Sequence, residues 1–333
     1  MKINAALEKL LPIVTPISVI MGILLSQYLQ SLIFLMPWIL ALMTFSSSIN
    51  STISSMKRSF SHPFPIVVSI ICLHIIMPSW AWFIGNLSFA TDQSMVTGII
   101  IAVVIPTGVT SVIWVAMSKG NVELTLSILL IDMILSPIIV PLSLALFVGR
   151  NIEINVQSIM VGLFFMIVIP YILGILANYI IKGPSKDKLK KFLTPVSKIG
   201  ILVVVMINGA DIAPYLREIN LELIRIASVV LFIACSGYLF AWLIGKVLKL
   251  KFEDLAALVF SSGMRNIASG IVIATSFFSP KVAVPVVFVM IFQQLLASIF
   301  ASLLSKVVRN KNNKENRTIE EQYITRNLEH KNN

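Results

Sequence analysis

Seven residues with the sequence FSSGMRN, at positions 260–266, interrupt an apolar segment in the last third of the chain. With the flanking runs 255–259 and 267–278 the segment is about 24 residues long, enough to cross a bilayer once as a helix at ~1.5 Å rise per residue. Arg265 then lies at mid-membrane, where a guanidinium costs roughly 2.5–3.5 kcal/mol on insertion scales. We therefore expect Arg265 to face protein or a water-filled cavity, either in a functional site or in a structural ion pair.

The composition is that of a membrane protein. Of the 333 residues, 57% are hydrophobic and 12% are charged, whereas a soluble domain carries about 25% charged residues. Long apolar runs fill most of positions 10–306, without the alternation of apolar and polar residues typical of outer-membrane strands. The sequence therefore predicts an all-α polytopic membrane protein.

Basic residues are distributed unevenly between the loops. With the N-terminus inside, the predicted outside loops hold only four of the 26 Lys and Arg residues: Arg150, Arg217, Arg225 and Lys281. This pattern follows the positive-inside rule and accounts for the net charge of +11 without a nucleic-acid partner. It predicts that both termini are cytoplasmic and that 307–333 is a polar cytoplasmic tail.

We predict ten transmembrane helices, spans 1 to 10, at 10–30, 32–50, 64–86, 95–117, 121–148, 156–180, 193–212, 224–245, 253–277 and 281–305.

Ten spans divide into five plus five, and an odd number in each half predicts two inverted five-helix repeats. Spans 4 and 9 occupy equivalent places in the two halves. Span 4 is interrupted by Pro106 and Gly108, and span 9 by Gly263 and Arg265. Proline removes a backbone donor and glycine loosens a helix, and unwound backbone at membrane depth survives where it is buried in protein or lines a cavity. The paired breaks predict that helices 4 and 9 are broken where they cross, at a binding site.

Several short motifs resemble those of the bile acid:sodium symporter family, over residues 30–305. The resemblance implies a transport domain at 1–306, with a panel domain (spans 1, 2, 6 and 7) and a core domain (spans 3–5 and 8–10). It also implies transport of organic anions driven by two sodium ions. The motifs are PTGVTS at 106–111, SKGN at 118–121, LSP at 135–137, GMRN at 263–266, IMP at 76–78 and FQQ at 292–294.

The positions that correspond to the family's sodium ligands are altered. Ser111 matches a sodium-site serine and Thr125 can supply a hydroxyl ligand, but Ser261 replaces a glutamate shared by both sodium sites. Arg265 replaces a glutamine ligand. A guanidinium ~4 Å from a sodium ion repels it by roughly 4 kcal/mol at an effective ε of about 20. We therefore expect Arg265 to stand in place of an ion, and two-sodium coupling to be lost.

Asp132 in span 5 lies at mid-membrane and is the natural counter-charge for Arg265. Two interpretations stay open. In the first, the two residues form a permanent pair that replaces the ions. In the second, Asp132 gains and loses a proton during transport, and Arg265 binds the substrate anion when Asp132 is protonated. His74 is either a hydrogen-bonded histidine of the bundle or a proton relay.

The sequence thus predicts a secondary transporter of a small organic anion in the cell (inner) membrane of a prokaryote, not an enzyme. The alternatives are a sodium-dependent symporter with a rebuilt ion site and a membrane sensor that binds without transport. No cofactor and no metal site are expected, and the coupling ion is sodium or a proton. Gln293 and Gln294 either contact substrate or hydrogen-bond between helices. The candidate substrate contacts are Arg265, Asn266, Thr110, Ser111, Gln293 and Gln294; the candidate coupling residues are Asp132, Ser261 and Thr125.

Overall fold

The computed structural model describes residues 14, 17–49, 63–149, 154–216 and 221–306, and the predicted tail 307–333 lies outside them. The described residues are helical apart from short turns and one isolated β-bridge, which confirms the all-α prediction for them. The helices are α1 (17–24), α2 (Ser26–Leu29, with the 3-10 segment Gln30–Leu35), α3 (Met36–Ser48), α4 (Pro63–Ile71), α5 (Met77–Phe89), α6 (Gln93–Val104), α7 (Ser111–Met117), α8 (Val122–Phe147), α9 (Val156–Leu163), α10 (Ile169–Ile180), α11 (Pro184–Asp211), α12 (Ala213–Leu216), α13 (Leu221–Val247), α14 (Phe252–Gly263), α15 (Ile267–Phe277) and α16 (283–306).

Six helical segments of the described residues are long and apolar enough to cross a membrane. Predicted spans 3, 5, 6, 8 and 10 each coincide with one of them, and span 2 (32–50) overlaps the sixth, which ends at Ser48. Span 1 falls partly outside the described residues, and span 7 is the C-terminal part of α11. The number of crossings and the inverted repeat stay predictions. The six segments are Ser26–Ser48, Pro63–Phe89, Val122–Phe147, Val156–Ile180, Leu221–Val247 and Pro280–Lys306.

Predicted spans 4 and 9 are each broken into two helices, as expected from their sequences. In span 4, α6 ends at Val104 and α7 begins at Ser111; in span 9, α14 ends at Gly263 and α15 begins at Ile267. The two unwound segments run antiparallel and form the β-bridge between Thr107 and Arg265. We call residues 105–110 and 264–266 the crossover.

Backbone hydrogen bonds join the two strands of the crossover. The Gly108 N–H donates to the Met264 carbonyl at 3.0 Å, and the Asn266 N–H donates to the Pro106 carbonyl at 2.7 Å. Gly108 is required for this approach, because a Cβ there would lie 2.7 Å from the carbonyl oxygen of Arg265. The crossover thus satisfies backbone groups that the broken helices leave free.

Two helices contain a π-helical segment, and a proline explains each. The segment Cys72–Ile76 precedes Pro78, and the segment Phe164–Val168 precedes Pro170. A proline has no N–H to donate to the carbonyl four residues back, so the preceding turn widens. The Met77 N–H accordingly donates to the Cys72 carbonyl, five residues back. Each π segment contains one extra residue, which rotates the helix before it relative to the helix after it. The first π segment contains His74.

The helices pack in two groups on either side of the crossover. In one group, α3 lies against α10 and α11, and Gly174 of α10 comes so close to α3 that a Cβ would meet the Phe45 carbonyl at 2.6 Å. In the other, α14 packs against α13, α7 and α8, and α5 packs against α6. The panel and core assignment of these groups stays a prediction.

We expect Gly108→Ala to destabilise the fold by about 1–3 kcal/mol, because the added methyl group overpacks the crossover. Thermal unfolding in detergent measures the effect. Gly85→Ala is the matched control, since its Cβ would find no atom nearer than 3.6 Å. Equal unfolding temperatures for the two variants would show that the crossover tolerates widening.

Candidate functional site

A cavity of about 370 Å³ lies between the two helix groups at the crossover. This volume is within the range of small-molecule sites. It brings together five of the six predicted substrate contacts: Thr110, Arg265, Asn266, Gln293 and Gln294. The sixth, Ser111, is fully buried behind the lining.

The walls of the cavity are mainly apolar. The α3–α10–α11 group contributes Leu40, Met43, Ile201 and Val205, and the opposite group contributes aliphatic residues of α7, α8 and α16. Polar side chains are fewer, and they lie at the crossover, on α16 and on the facing helices α3 and α10. The arrangement suits a ligand with an apolar body and a polar or charged end.

Sequence reasoning missed four polar residues of this lining, Thr44, Ser46, Ser47 and Tyr171. A signal was present for the first three of them, because the run TFSSS at 44–48 places four hydroxyl groups within an otherwise apolar span. Tyr171 gave no such signal. It follows Pro170 in an apolar helix, where a single aromatic residue is ordinary.

Arg265 is held inside the protein, with 4% of its surface exposed. Its backbone N–H donates to the Gln293 Oε1 at 2.7 Å, and its Nη1 donates to the Ile105 carbonyl at 3.5 Å. Its Nη2 is buried with no hydrogen-bond partner. The guanidinium is therefore a fixed positive charge under the crossover.

Asp132, the expected counter-charge of Arg265, has other direct partners in the structure. Asp132 Oδ1 lies 2.8 Å from His74 Nε2, and Asp132 Oδ2 accepts from the Thr107 N–H at 2.6 Å. Asp132 is thus occupied by a neighbouring histidine and by the backbone of the crossover. The physical reason is that unwinding at Pro106 exposes an N–H donor to Asp132, and the π segment brings His74 to the same carboxylate.

The predicted ion-coupling hydroxyls are all buried, with different surroundings. Ser111 Oγ and Ser261 Oγ have no hydrogen-bond partner, while Thr125 Oγ1 donates to the Asn121 carbonyl of its own helix. The Ser261 carbonyl accepts from Thr107 Oγ1 at 3.2 Å, which adds a further link between the broken helices.

The two glutamines on α16 hydrogen-bond between helices and also line the cavity. Gln293 accepts from the crossover at Arg265, and Gln294 Oε1 accepts from Trp114 Nε1 at 3.2 Å. Asn266 has a structural role as well, because its side chain caps α15 by accepting from the Ser269 N–H at 3.4 Å. The N-terminus of α15, with its positive dipole end, therefore opens beside the cavity.

The donor set of the crossover does not fit a sodium ion of the family type. Such a site needs several oxygen ligands with a carboxylate to offset the charge, but Ser261 supplies a neutral hydroxyl and Arg265 a fixed cation. The nearest carboxylate, Asp132, is already bonded to His74 and Thr107. Among the described residues, no group of three His, Cys, Asp or Glu side chains is placed to hold a metal ion.

Comparison with known families agrees with this architecture. The sequence model of the Sodium Bile acid symporter family matches residues 37–218, more than half of the chain. The chain therefore belongs to the Sodium Bile acid symporter family, a family of membrane transporters. The match ends before span 9, which contains Ser261 and Arg265.

Individual relatives extend the similarity over most of the chain. It is 47% identical to "Uncharacterized protein YbaS" of Bacillus subtilis (strain 168), over 89% of this chain and 97% of that one. It is 25% identical to "Uncharacterized sodium-dependent transporter YocS" of the same organism, over 82% and 83% of the two chains. It is 23% identical to "Probable sodium/metabolite cotransporter BASS1, chloroplastic" of Arabidopsis thaliana, over 76% and 62%.

We expect Gln293→Met to lower the unfolding free energy by about 1–3 kcal/mol, because the buried Arg265 N–H loses its acceptor. Gln294→Met is the control at the adjacent, less buried position and is expected to cost less. Thermal unfolding of both variants in detergent tests this, and an equal loss would contradict the role of Gln293 in holding the crossover.

Proposed function

We propose that this protein is a secondary transporter that moves a small organic anion across the cell membrane by alternating access, with Arg265 in the place of a coupling sodium ion. The observation that carries the proposal is the cavity at the crossover, which is lined by both helix groups and has a fixed guanidinium beneath it. Rocking of one helix group against the other would open such a cavity to either side in turn.

The cavity favours a monoanion with an apolar body. One buried guanidinium and the N-terminus of α15 supply positive potential at the crossover, and the Asn266 and Gln294 side chains offer hydrogen bonds. The opposite wall combines aliphatic side chains with neutral hydroxyl groups, so a second carboxylate there would lose its hydration without a cationic partner. Monocarboxylates are therefore preferred over dicarboxylates.

A second candidate is a sodium-dependent transporter with a rebuilt ion site. The names of two relatives refer to sodium, and two buried hydroxyls, Ser111 Oγ and Ser261 Oγ, have no partner. The charge of Arg265 opposes this arrangement.

Uptake into proteoliposomes separates the candidates. A panel of mono- and dicarboxylates is supplied with sodium and proton gradients imposed separately. Our proposal predicts saturable uptake of monocarboxylates that sodium does not drive. Sodium-driven uptake would establish the second candidate, and binding without flux would identify a sensor.

We expect Arg265→Gln to reduce monocarboxylate uptake about 10- to 100-fold, because a hydrogen-bonded charge contributes roughly 1.5–3 kcal/mol. The matched control is Arg225→Gln. Arg225 is exposed, donates to the Ser88 carbonyl and lies over the Phe89 ring, outside the cavity lining. Uptake that survives in Arg265→Gln would exclude the guanidinium from anion recognition.

A further inference from the structure

The contact between His74 and Asp132 joins three separate parts of the fold. His74 comes from the π segment between α4 and α5, Asp132 from the middle of α8, and the Thr107 N–H from the crossover. The side chains of His74 and Asp132 are 5% and 0% exposed. A histidine and a carboxylate in contact at this depth are costly and mark functional sites in membrane proteins.

The histidine retains one unused nitrogen. If its Nε2 carries the proton donated to Asp132 Oδ1, the Nδ1 keeps a free lone pair, and Nδ1 is buried with no hydrogen-bond partner. A proton that binds Nδ1 converts the imidazole to an imidazolium, already paired with a carboxylate. Only one N–H bond forms, and the same bond breaks when the proton leaves.

We propose that His74 and Asp132 form the binding site of a coupling proton, which takes over the role of the family's sodium ions. This inference rests on the proposed anion transport. A histidine can carry a proton on either ring nitrogen and serves as a proton shuttle in proteins, as a coupling site requires.

The charges of the surrounding groups account for the coupling. With a neutral His74, Asp132 and Arg265 carry one negative and one positive charge, so the site is neutral. A bound proton makes it positive by one unit, and a monoanion in the adjacent cavity restores neutrality. Because uncompensated charge in the membrane interior is unfavourable, proton and anion binding favour each other.

Few other ionisable groups face this site. Cys72 lies on the same π segment, and Tyr238 packs against Gly263 behind Arg265. On the described helices packed against α8, the remaining acidic residues are Glu253 and Asp254 at the start of α14. Asp254 is bonded there to Asn121. On α8 itself, Glu123 lies in the first turn, two and a half turns from Asp132.

The crossover connects the His74–Asp132 pair to the anion site. Asp132 accepts from Thr107, and Thr107 is bridged to Arg265 beside the cavity. A proton on His74 draws the carboxylate toward the imidazolium and weakens its bond to the Thr107 N–H. The protonation state of the dyad therefore alters the backbone that forms the anion site.

The test uses the full-length protein in sodium-free proteoliposomes with a monocarboxylate that it exchanges. Counterflow exchange, measured without any ion gradient, reports anion transport alone. Accumulation driven by an acidic exterior reports coupling, and a trapped pH dye reports the protons that enter. For the wild type we expect accumulation approaching about tenfold across one pH unit, the limit for one proton carried with each monoanion.

In His74→Gln we expect gradient-driven accumulation to fall about tenfold, to the level seen without a pH gradient, while counterflow exchange falls less. Asp132→Asn should behave in the same way. Glu123→Gln, an exposed acid on the same helix, is the control and should retain coupling. Accumulation that follows the pH gradient in His74→Gln would overturn the proposal.

Proton entry measured with the trapped pH dye in the wild-type protein tests proton coupling even if the variants fail to fold. Net anion uptake without proton entry, or accumulation driven by sodium, would refute the dyad while leaving anion transport intact. The absence of exchange for every carboxylate would instead refute the proposed transport function, and this inference with it.

Discussion

The structure depends on one requirement, that backbone groups freed in the middle of an apolar bundle find partners within the protein. Two helices are interrupted at the crossover, and their unwound segments pair through hydrogen bonds between Gly108 and Met264 and between Asn266 and Pro106. Two further N–H groups, on Thr107 and Arg265, donate to the side chains of Asp132 and Gln293. A buried backbone group without a hydrogen-bond partner would cost about 1–3 kcal/mol. The helices that supply these partners are therefore held in place around the crossover.

This requirement also explains the arrangement of charges. Asp132 is held by a backbone N–H and an imidazole, which leaves Arg265 as a cation without a direct carboxylate partner. Its Nη2 is unpaired and its Nη1 only approaches the Ile105 carbonyl, so its positive charge is not neutralised by contact. An anion in the adjacent cavity relieves that imbalance. The same geometry that satisfies the backbone thereby creates an anion site.

The comparisons place the chain within a known family. The family model matches residues 37–218, which include the first break at Pro106, whereas the second break at Gly263 lies beyond the match. The relatives named for sodium share 25% identity or less with the chain.

The sequence by itself determined the helical class, the two breaks and the burial of Arg265, because length, hydropathy and the positions of proline and glycine fix depth in a membrane. Only the tertiary structure decided which groups meet. Hydropathy carries little information about the rotation of a helix within a bundle, and the π segment before Pro78 alters that rotation by one residue. It therefore brings His74, rather than Arg265, to Asp132, and the fold likewise brings Tyr171 to the cavity from an ordinary apolar helix.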